Sequence, residues 1–477
     1  MDPITTEILV LGAGPGGYAA AFYAADRGKK VTLVEQHPRL GGVCLNYGCI
    51  PSKALLHATE ILREMNDSAL RGIELGQPKV DLVKLRAWKD GILDKLGQGV
   101  KTLGQKRNVQ LVHGRGHFED SQTLRVETSD GQKFIKYEKA IIATGSKPAM
   151  PSAFDLGNRR IMTSTEALDV PEVPETLLVI GGGYIGMELG TVYATLGSSV
   201  VVLEALPSIL TGIDSDLVRP VARYAQKAFK EVRVNTKVVK MATEGKQIKV
   251  SMQIDKETRE EVYDRVLVSV GRVPNYVDLG LENTRVTKDD KGFIKTNAQQ
   301  QTEDPNIYAI GDINGGTLLA HRASREGRIA VEAILGEASA FENIVIPAVV
   351  YTDPEIAWCG LTENEAQQKN IEIKVAKFLW GASGRALTLD RPDGLTKLII
   401  EPETERILGV GIVGHGAGEL IGEGVLAVEM GATARDIADS VHPHPTLSET
   451  LMESAESFYG TATHMIPARR PAQSQER

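Results

Sequence analysis

Two stretches of the chain carry the same succession of apolar runs and glycine-rich breaks. VLGAGPGGYAAAFYAADRGKKVTLVE, Val10 to Glu35, is echoed without a gap by VIGGGYIGMELGTVYATLGSSVVVLE, Val179 to Glu204. Gly12, Gly14 and Gly17 fall on Gly181, Gly183 and Gly186, Gly28 on Gly197 and Glu35 on Glu204, always 169 residues apart. In each copy a continuous apolar run predicts a buried strand, followed by a glycine turn, a small-residue helix and a second buried strand ending in an acid. That order opens a parallel dinucleotide-binding sheet, so two nucleotide-binding domains are expected.

Elsewhere the pattern is less regular. Leu82, Leu85, Ile92, Leu93, Leu96, Val100 and Leu103 recur at helical spacing despite interior glycines, and predict one long helix. Strand-like runs at Leu124–Thr128 and Ala140–Ala143 complete the first sheet, and proline-rich Pro171–Glu175 leads into the second copy. A strand at Val266–Val270, then Gly271 and the turn at Pro274-Asn275, closes the second domain. Strands at Thr396–Glu401 and Leu408–Val413 alternate with helices at Glu419–Met430 and Thr433–Ser440. The expected fold class is α/β: two Rossmann-like three-layer domains, 1–150 and 151–277, plus an α+β domain over 346–466. The polar, proline-flanked end, 467–477, reads as a disordered tail.

Length and composition agree with this division. At ~150 residues per domain, 477 residues allow roughly three domains. Lys and Arg number 54 against 62 Asp and Glu, a net charge of −8, so no global cationic field favours nucleic acid. No uncharged apolar run approaches the ~20 residues of a membrane span, and the first residues lack the pattern of a signal peptide. Three cysteines in so long a chain argue for a reducing, cytoplasmic setting and against an extracellular disulfide framework.

The chemistry concentrates at a few places. In each glycine motif the first Gly allows the tight turn, the second the approach of a diphosphate, and the third close helix packing. Glu35 and Glu204 are placed to accept hydrogen bonds from ribose hydroxyls, and Glu204 favours NAD because a carboxylate repels the 2′-phosphate of NADP. Cys44 and Cys49 lie in GGVCLNYGCIPSK. Cys359 and the scattered histidines supply no second half for a zinc site, and no metal is expected. Cysteines five apart in a regular helix are too distant to bridge, so a working pair requires a break in the helix. Lys53 follows close enough to favour a thiolate, although a solvated lysine is the plainer reading. His442, His444 and Glu449 stand together in HPHPTLSE, where a carboxylate on one ring nitrogen would raise the basicity of the other, or where the pair is a surface contact. Cys359, without a nearby partner, reads as a small buried apolar residue.

Taken in order, the two glycine motifs flanking CLNYGCIPSK, then GRVPN, YAIGDI, YTDPEIAWCGLTE and HPTLSE resemble the flavoprotein disulfide reductases over essentially the whole chain. The likeness is strongest to the branch that oxidises dihydrolipoyl groups. It implies FAD along the first motif, held through Gly12, Gly14, Gly17, Glu35, Gly42, Lys53, Gly145, Asp312 and Ala320. It implies NAD at Gly181, Gly183, Tyr184, Gly186, Glu204 and Gly271, and a central domain, 278–345, that completes the FAD site. By the same resemblance Cys44 is the interchange thiol and Cys49 the thiolate beside the flavin. His444, oriented by Glu449 and supplied by the partner subunit of a homodimer, is the base, and Glu188 pairs with Lys53. The implied partners are lipoyl domains of 2-oxoacid dehydrogenase acyltransferases, or of the glycine-cleavage H protein. Tyr184 resembles a lid over the nicotinamide pocket, or is a packing aromatic. Two alternatives stay open: a glutathione-reducing member of the family, and a catalytically silent FAD-binding scaffold.

Overall fold

The computed structural model describes residues 3–76, 78–254, 257–342 and 344–466. The tail expected from residue 467 lies outside the described residues. Two compact units are drawn from Met1–Val173 with Leu267–Asn343, and from Pro174–Val266 with Ile344–Arg477.

The first unit is organised by the strand Ile4–Leu11, buried along its second half because both neighbours pair with it in parallel. On one side lies Val31–Glu35, with Leu11 opposite Val34, and beyond it Gln110–His113. On the other side lies Gly131–Ile142, which also pairs in parallel with Ile307–Ala309. Thr123–Thr128 and Arg115–Asp120 extend that edge as an antiparallel meander. Helix Pro15–Asp26 starts at Gly14 with proline in its first turn, and its alanine face, Ala20, Ala21 and Ala24, is fully buried. Helix Ala320–Ile334 packs on it so closely that a Cβ on Gly327 would lie 2.8 Å from the Gly16 carbonyl oxygen.

The long helix runs from Leu82 to Lys106, capped by Asp81, whose carboxylate accepts the Val83 and Lys84 amides at 3.0 and 3.1 Å. Its interior glycines explain why the apolar stripe is imperfect. Leu96 and Leu103 are exposed, whereas Gly97 and Gly104 face inward and admit the Arg39 and Phe22 side chains. The helix is thus positioned as much by its missing side chains as by its leucines.

In the second unit Thr176–Ile180, Ser199–Leu203 and Glu231–Arg233 repeat the parallel pairing of the first. The strand expected over Val266–Val270 spans Arg265–Val268 instead, ending before the chain turns through Gly271. A three-stranded antiparallel sheet, Thr236–Glu244, Gln247–Ile254 and Glu257–Tyr263, lies between these elements and has no counterpart in the expectations. The C-terminal part holds a five-stranded antiparallel sheet ordered Ala348–Val350, Glu355–Gly360, Ile407–Gly414, Leu395–Ile400, Lys374–Leu379. Helices Ala417–Glu429 and Glu449–Tyr459 pack on it around a core that includes Trp380, Phe378 and Cys359. Thr433, expected as a helix start, is the cap of the short helix Ala434–Ala438.

One polar knot lies inside this unit. Lys397, on a strand whose other side chains are apolar or hydroxyl, is 1% exposed and reaches Asp214, Asp216 and Glu363 at 2.7, 2.8 and 2.7 Å. Asp214 also accepts the Glu363 and Asn364 amides, and Lys377 adds a second ammonium to Asp216 at 2.7 Å. A buried ion of this kind is tolerated only because every charge has partners.

Candidate active site

The glycine loop of the first unit is shaped by contacts that exclude any side chain at its start. Gly12 has φ +104°, and a Cβ there would stand 2.4 Å from the Ala143 carbonyl oxygen. A Cβ on Gly14 would only touch the Gly42 Cα, at 3.8 Å, and one on Gly183 in the second unit would meet nothing within 4 Å among the described residues. The acids at the strand ends act alike in both copies. Glu35 accepts the Ala13 amide at 2.8 Å on one oxygen and the His37 amide at 2.8 Å on the other. Glu204 accepts Gly182 at 2.7 Å and Leu206 at 2.8 Å in the same manner. Each carboxylate thereby joins the glycine loop to the end of the next strand, and each oxygen keeps a lone pair for a further donor.

Asp312 sits in the short turn Gly311–Asn314, where one of its oxygens accepts the Ser146 hydroxyl at 2.5 Å and the other has no partner among the described residues. Arg272 fixes Ser146 through its hydroxyl and its carbonyl, at 2.7 and 2.8 Å. Gly145 and Gly271 flank the antiparallel ribbon Ser146–Pro148 with Arg272–Pro274, and Gly271 belongs to the first unit. Ala320 opens the helix that packs on the first glycine helix. An open glycine backbone at a helix N-terminus, a strand-end carboxylate and Asp312 with a vacant acceptor suit an extended dinucleotide, so the described residues fit FAD.

Cys44 is half-buried and Cys49 exposed. The break required between them is real: helix Gly42–Tyr47 ends and helix Cys49–Asp67 begins at Gly48, whose φ and ψ of −148° and −111° leave the helical region. A Cβ on Gly48 would press on the Val43 carbonyl oxygen at 3.2 Å and the Cys44 Cα at 3.4 Å. The missing side chain lets Cys49 fold back onto the preceding helix. Its hydrogen bond to Cys49, together with burial, pushes the Cys44 thiol well above the ordinary range, with Lys53 pulling the other way. Tyr18, in the first turn of the glycine helix, also faces the pair, its hydroxyl raised by burial and then by Cys44 and Cys49. Neither Gly48 nor Tyr18 stands out in the sequence, because a glycine between cysteines reads as linker and a tyrosine on a packed helix reads as core. Gly48→Val is expected to cost about 1–3 kcal/mol by overpacking and to slow disulfide formation between the two thiols. Thiol titration during reoxidation, with Cys359 as the unreactive internal reference, measures the second effect.

The two histidines of HPHPTLSE have different surroundings. Both His442 nitrogens face acceptors, the Ser440 carbonyl and the Glu423 carboxylate, each at 2.8 Å, so it is a structural anchor. His444 Nδ1 lies 2.9 Å from Glu449 Oε1, while Glu449 Oε2 accepts the Thr446 amide at 2.7 Å. Burial works against the Glu449 carboxylate, but the Thr446 amide, His444 and His464 hold it below the usual glutamate range. An ionised Glu449 accepts a hydrogen bond from Nδ1–H, which leaves the lone pair on His444 Nε2 as an exposed base. Glu188 is buried in the second glycine helix and accepts the Tyr351 amide at 3.0 Å. Tyr184, the first residue of that helix, is 44% exposed. Lys53 lies in the first turn after Cys49. The cysteine pair and Lys53 belong to the first unit, and the His444–Glu449 pair and Glu188 to the second.

Comparison with known proteins agrees with this arrangement along the whole chain. Residues 6–327 match the pyridine nucleotide-disulphide oxidoreductase family, and residues 346–455 match its dimerisation domain. Dihydrolipoyl dehydrogenase of Vibrio parahaemolyticus is 44% identical over 97% of both chains. That of Geobacillus stearothermophilus is 45% identical over 97% of this chain and 98% of its own. Among solved structures, LpdA of Mycobacterium tuberculosis superposes with a TM-score of 0.88 at 27% identity, covering 95% of this chain and 99% of its own. The flavoprotein disulfide reductase RclA of Escherichia coli, as its Cu(II) complex, gives 0.85 at 26% identity over 96% and 99%. Two glycine loops tied to strand-end acids, a thiol pair closed by a helix break and a C-terminal dimerisation domain all follow one plan, and the chain belongs to the pyridine nucleotide-disulphide oxidoreductase family.

Proposed function

We propose that the chain is a dihydrolipoyl dehydrogenase, a homodimeric flavoenzyme that oxidises protein-bound dihydrolipoyl groups and passes two electrons to NAD+. The observation that carries this reading is the Cys44–Cys49 pair, brought together at Gly48 beside the first glycine loop. The likeness to enzymes of that name over 97% of the chain supports it.

In this reading residues 1–150 bind FAD, 151–277 bind NAD, 278–345 complete the FAD site, and 346–466 form the dimer. FAD is held through Gly12, Gly14, Gly17, Glu35, Gly42, Lys53, Gly145, Asp312 and Ala320, and NAD through Gly181, Gly183, Tyr184, Gly186, Glu204 and Gly271. The chemistry FAD supplies when bound is a two-electron relay from the cysteine pair to NAD+. The protein's own steps are proton and sulfur transfers. His444 Nε2 takes the proton of one substrate thiol, and the resulting thiolate attacks Cys44 of the Cys44–Cys49 disulfide. The S–S bond breaks and Cys49 leaves as thiolate. The second substrate thiol then attacks the first substrate sulfur, closing the lipoyl ring and expelling Cys44, which leaves as a thiolate and takes up the proton that the second substrate thiol releases. Lipoyl domains of 2-oxoacid dehydrogenase acyltransferases, or of a glycine-cleavage H protein, are the partners, and the cytoplasm is the setting. No helix among the described residues is long and apolar enough to cross a membrane.

The purified protein is expected to reduce NAD+ with dihydrolipoamide and to leave glutathione disulfide with NADPH unreacted. The reverse preference would assign it to the glutathione-reducing branch, and flavin-loaded protein inactive in both assays would make it a scaffold.

A further inference from the structure

The segment after helix Glu449–Tyr459 turns back along it and delivers His464 to Glu453. His464 Nδ1 stands 2.5 Å from Glu453 Oε1, and the His464 amide donates to Oε2 at 3.4 Å. Glu453 is 3% exposed, whereas the His464 side chain is 54% exposed. Glu449, Glu453 and Glu456 follow one another at spacings of four and three, so three carboxylates share one face of this helix. Like charges so arranged repel unless a cation answers them.

His464 is placed to be that cation. Its bond to Glu453, and then the nearby Glu449 and Glu456, raise its proton affinity above that of an ordinary histidine. Burial and the neighbouring Glu453 raise Glu456 as well, towards its protonated, neutral form, and one Glu456 oxygen is buried with no hydrogen-bond partner among the described residues. Glu449 is the member held as an anion, with His464 among the charges that hold it.

Among the described residues, the elements packed against this helix supply no competing cation. Lys374 and Arg435 lie over the Phe458 and Tyr459 rings at 5.7 and 3.9 Å. Lys377 and Lys397 belong to the knot with Asp214, Asp216 and Glu363. Of the acids, Asp436 caps Thr433, Asp439 faces Arg435 at 3.9 Å, and Glu405 accepts the Tyr459 hydroxyl. His442 is engaged by Glu423.

We propose that His464, anchored on Glu453, is a positioning residue for the His444–Glu449 pair: its imidazolium neutralises the acidic face of the helix, so that Glu449 remains an anion and His444 Nε2 an open base near neutral pH. This rests on the reading of His444 as the base that takes the substrate proton.

Removing the His464 charge makes proton uptake by the His444–Glu449 pair easier, so the pair is blocked at higher pH than in the wild type. The test is the pH dependence of kcat/KM for dihydrolipoamide in His464→Gln and His464→Ala, beside His464→Lys and the NADH-driven reduction of ferricyanide. The two neutral variants are expected to move the acid limb upward by ~0.5 pH unit, the effect of one nearby charge partly screened by water. His464→Lys holds the limb at the wild-type position, and ferricyanide reduction stays unchanged in all three. An unmoved or downward-moved limb, or equal loss of both activities, overturns the role of His464. A wild-type protein that reduces ferricyanide yet shows no turnover of dihydrolipoamide overturns instead the reading of His444, and this proposal with it.

Discussion

Cys44→Ser abolishes the oxidation of dihydrolipoamide while the protein keeps FAD and still reduces ferricyanide with NADH. The serine fits the half-buried site within helix Gly42–Tyr47, so neither the break at Gly48 nor the first glycine loop is disturbed. What disappears is the sulfur that accepts the substrate thiolate, and no other residue replaces it, since Cys359 is buried in the C-terminal core with its thiol pushed up to about 12 by burial. Flavin absorbance, dihydrolipoamide turnover and ferricyanide reduction, measured on one preparation, decide the matter. Loss of both activities with flavin retained would contradict the division of labour between the sulfur pair and the nucleotide sites.

His444→Ala lowers dihydrolipoamide turnover by a factor of ~10² to 10⁴, the usual contribution of a positioned general base. Ferricyanide reduction is spared, because no substrate thiol has to lose a proton in that reaction. His442→Ala is the matched control, two residues away in the same motif. Its ring is fully engaged by Ser440 and Glu423, so its loss loosens the segment and leaves the proton transfer intact. Steady-state rates for both substrates, with a thermal unfolding curve for each variant, separate the two roles. Equal damage to both activities in His444→Ala would make His444 an anchor too.

What could be read from the sequence, and what could not, follows from how local each signal is. The two glycine motifs are legible because backbone conformation and close approach at Gly12 dictate residue type, and because the duplicate at Gly181 repeats it. The long helix is legible from its leucines, although Gly97 and Gly104, which look like flaws, turn out to be its contact points. The sheet over Thr236–Tyr263 is not legible, since its last strand is almost wholly exposed and alternates too weakly to declare an inner face. In the site, Cys44, Cys49, His444 and Glu449 announce themselves by chemistry. Gly48 is recognised only once the helix break is seen. His464 and Glu453 are eleven residues apart across a turn, a separation with no periodic signature. Lys397 sits in a strand whose pattern calls for an apolar residue, and its three acids come from two distant segments.

The knot around Lys397 has a consequence for how this part of the molecule responds to its medium. The oxygens of Asp214, Asp216 and Glu363 lie within 4.8 Å of one another, a spacing that could enclose a divalent ion. The lysine ammonium occupies the position such an ion would take. Burial opposes the Asp216 carboxylate, yet Lys377 and Lys397 hold it below the ordinary aspartate range, and the three acids raise Lys397 against its own burial. The carboxylate contribution is therefore lost as pH falls through the lowered Asp216 value, and the ammonium contribution as pH rises through the raised Lys397 value. Between those limits the C-terminal sheet and the segment that opens helix Ser215–Ala228 are clamped by a tethered cation that no chelator can withdraw and no dilution can wash out.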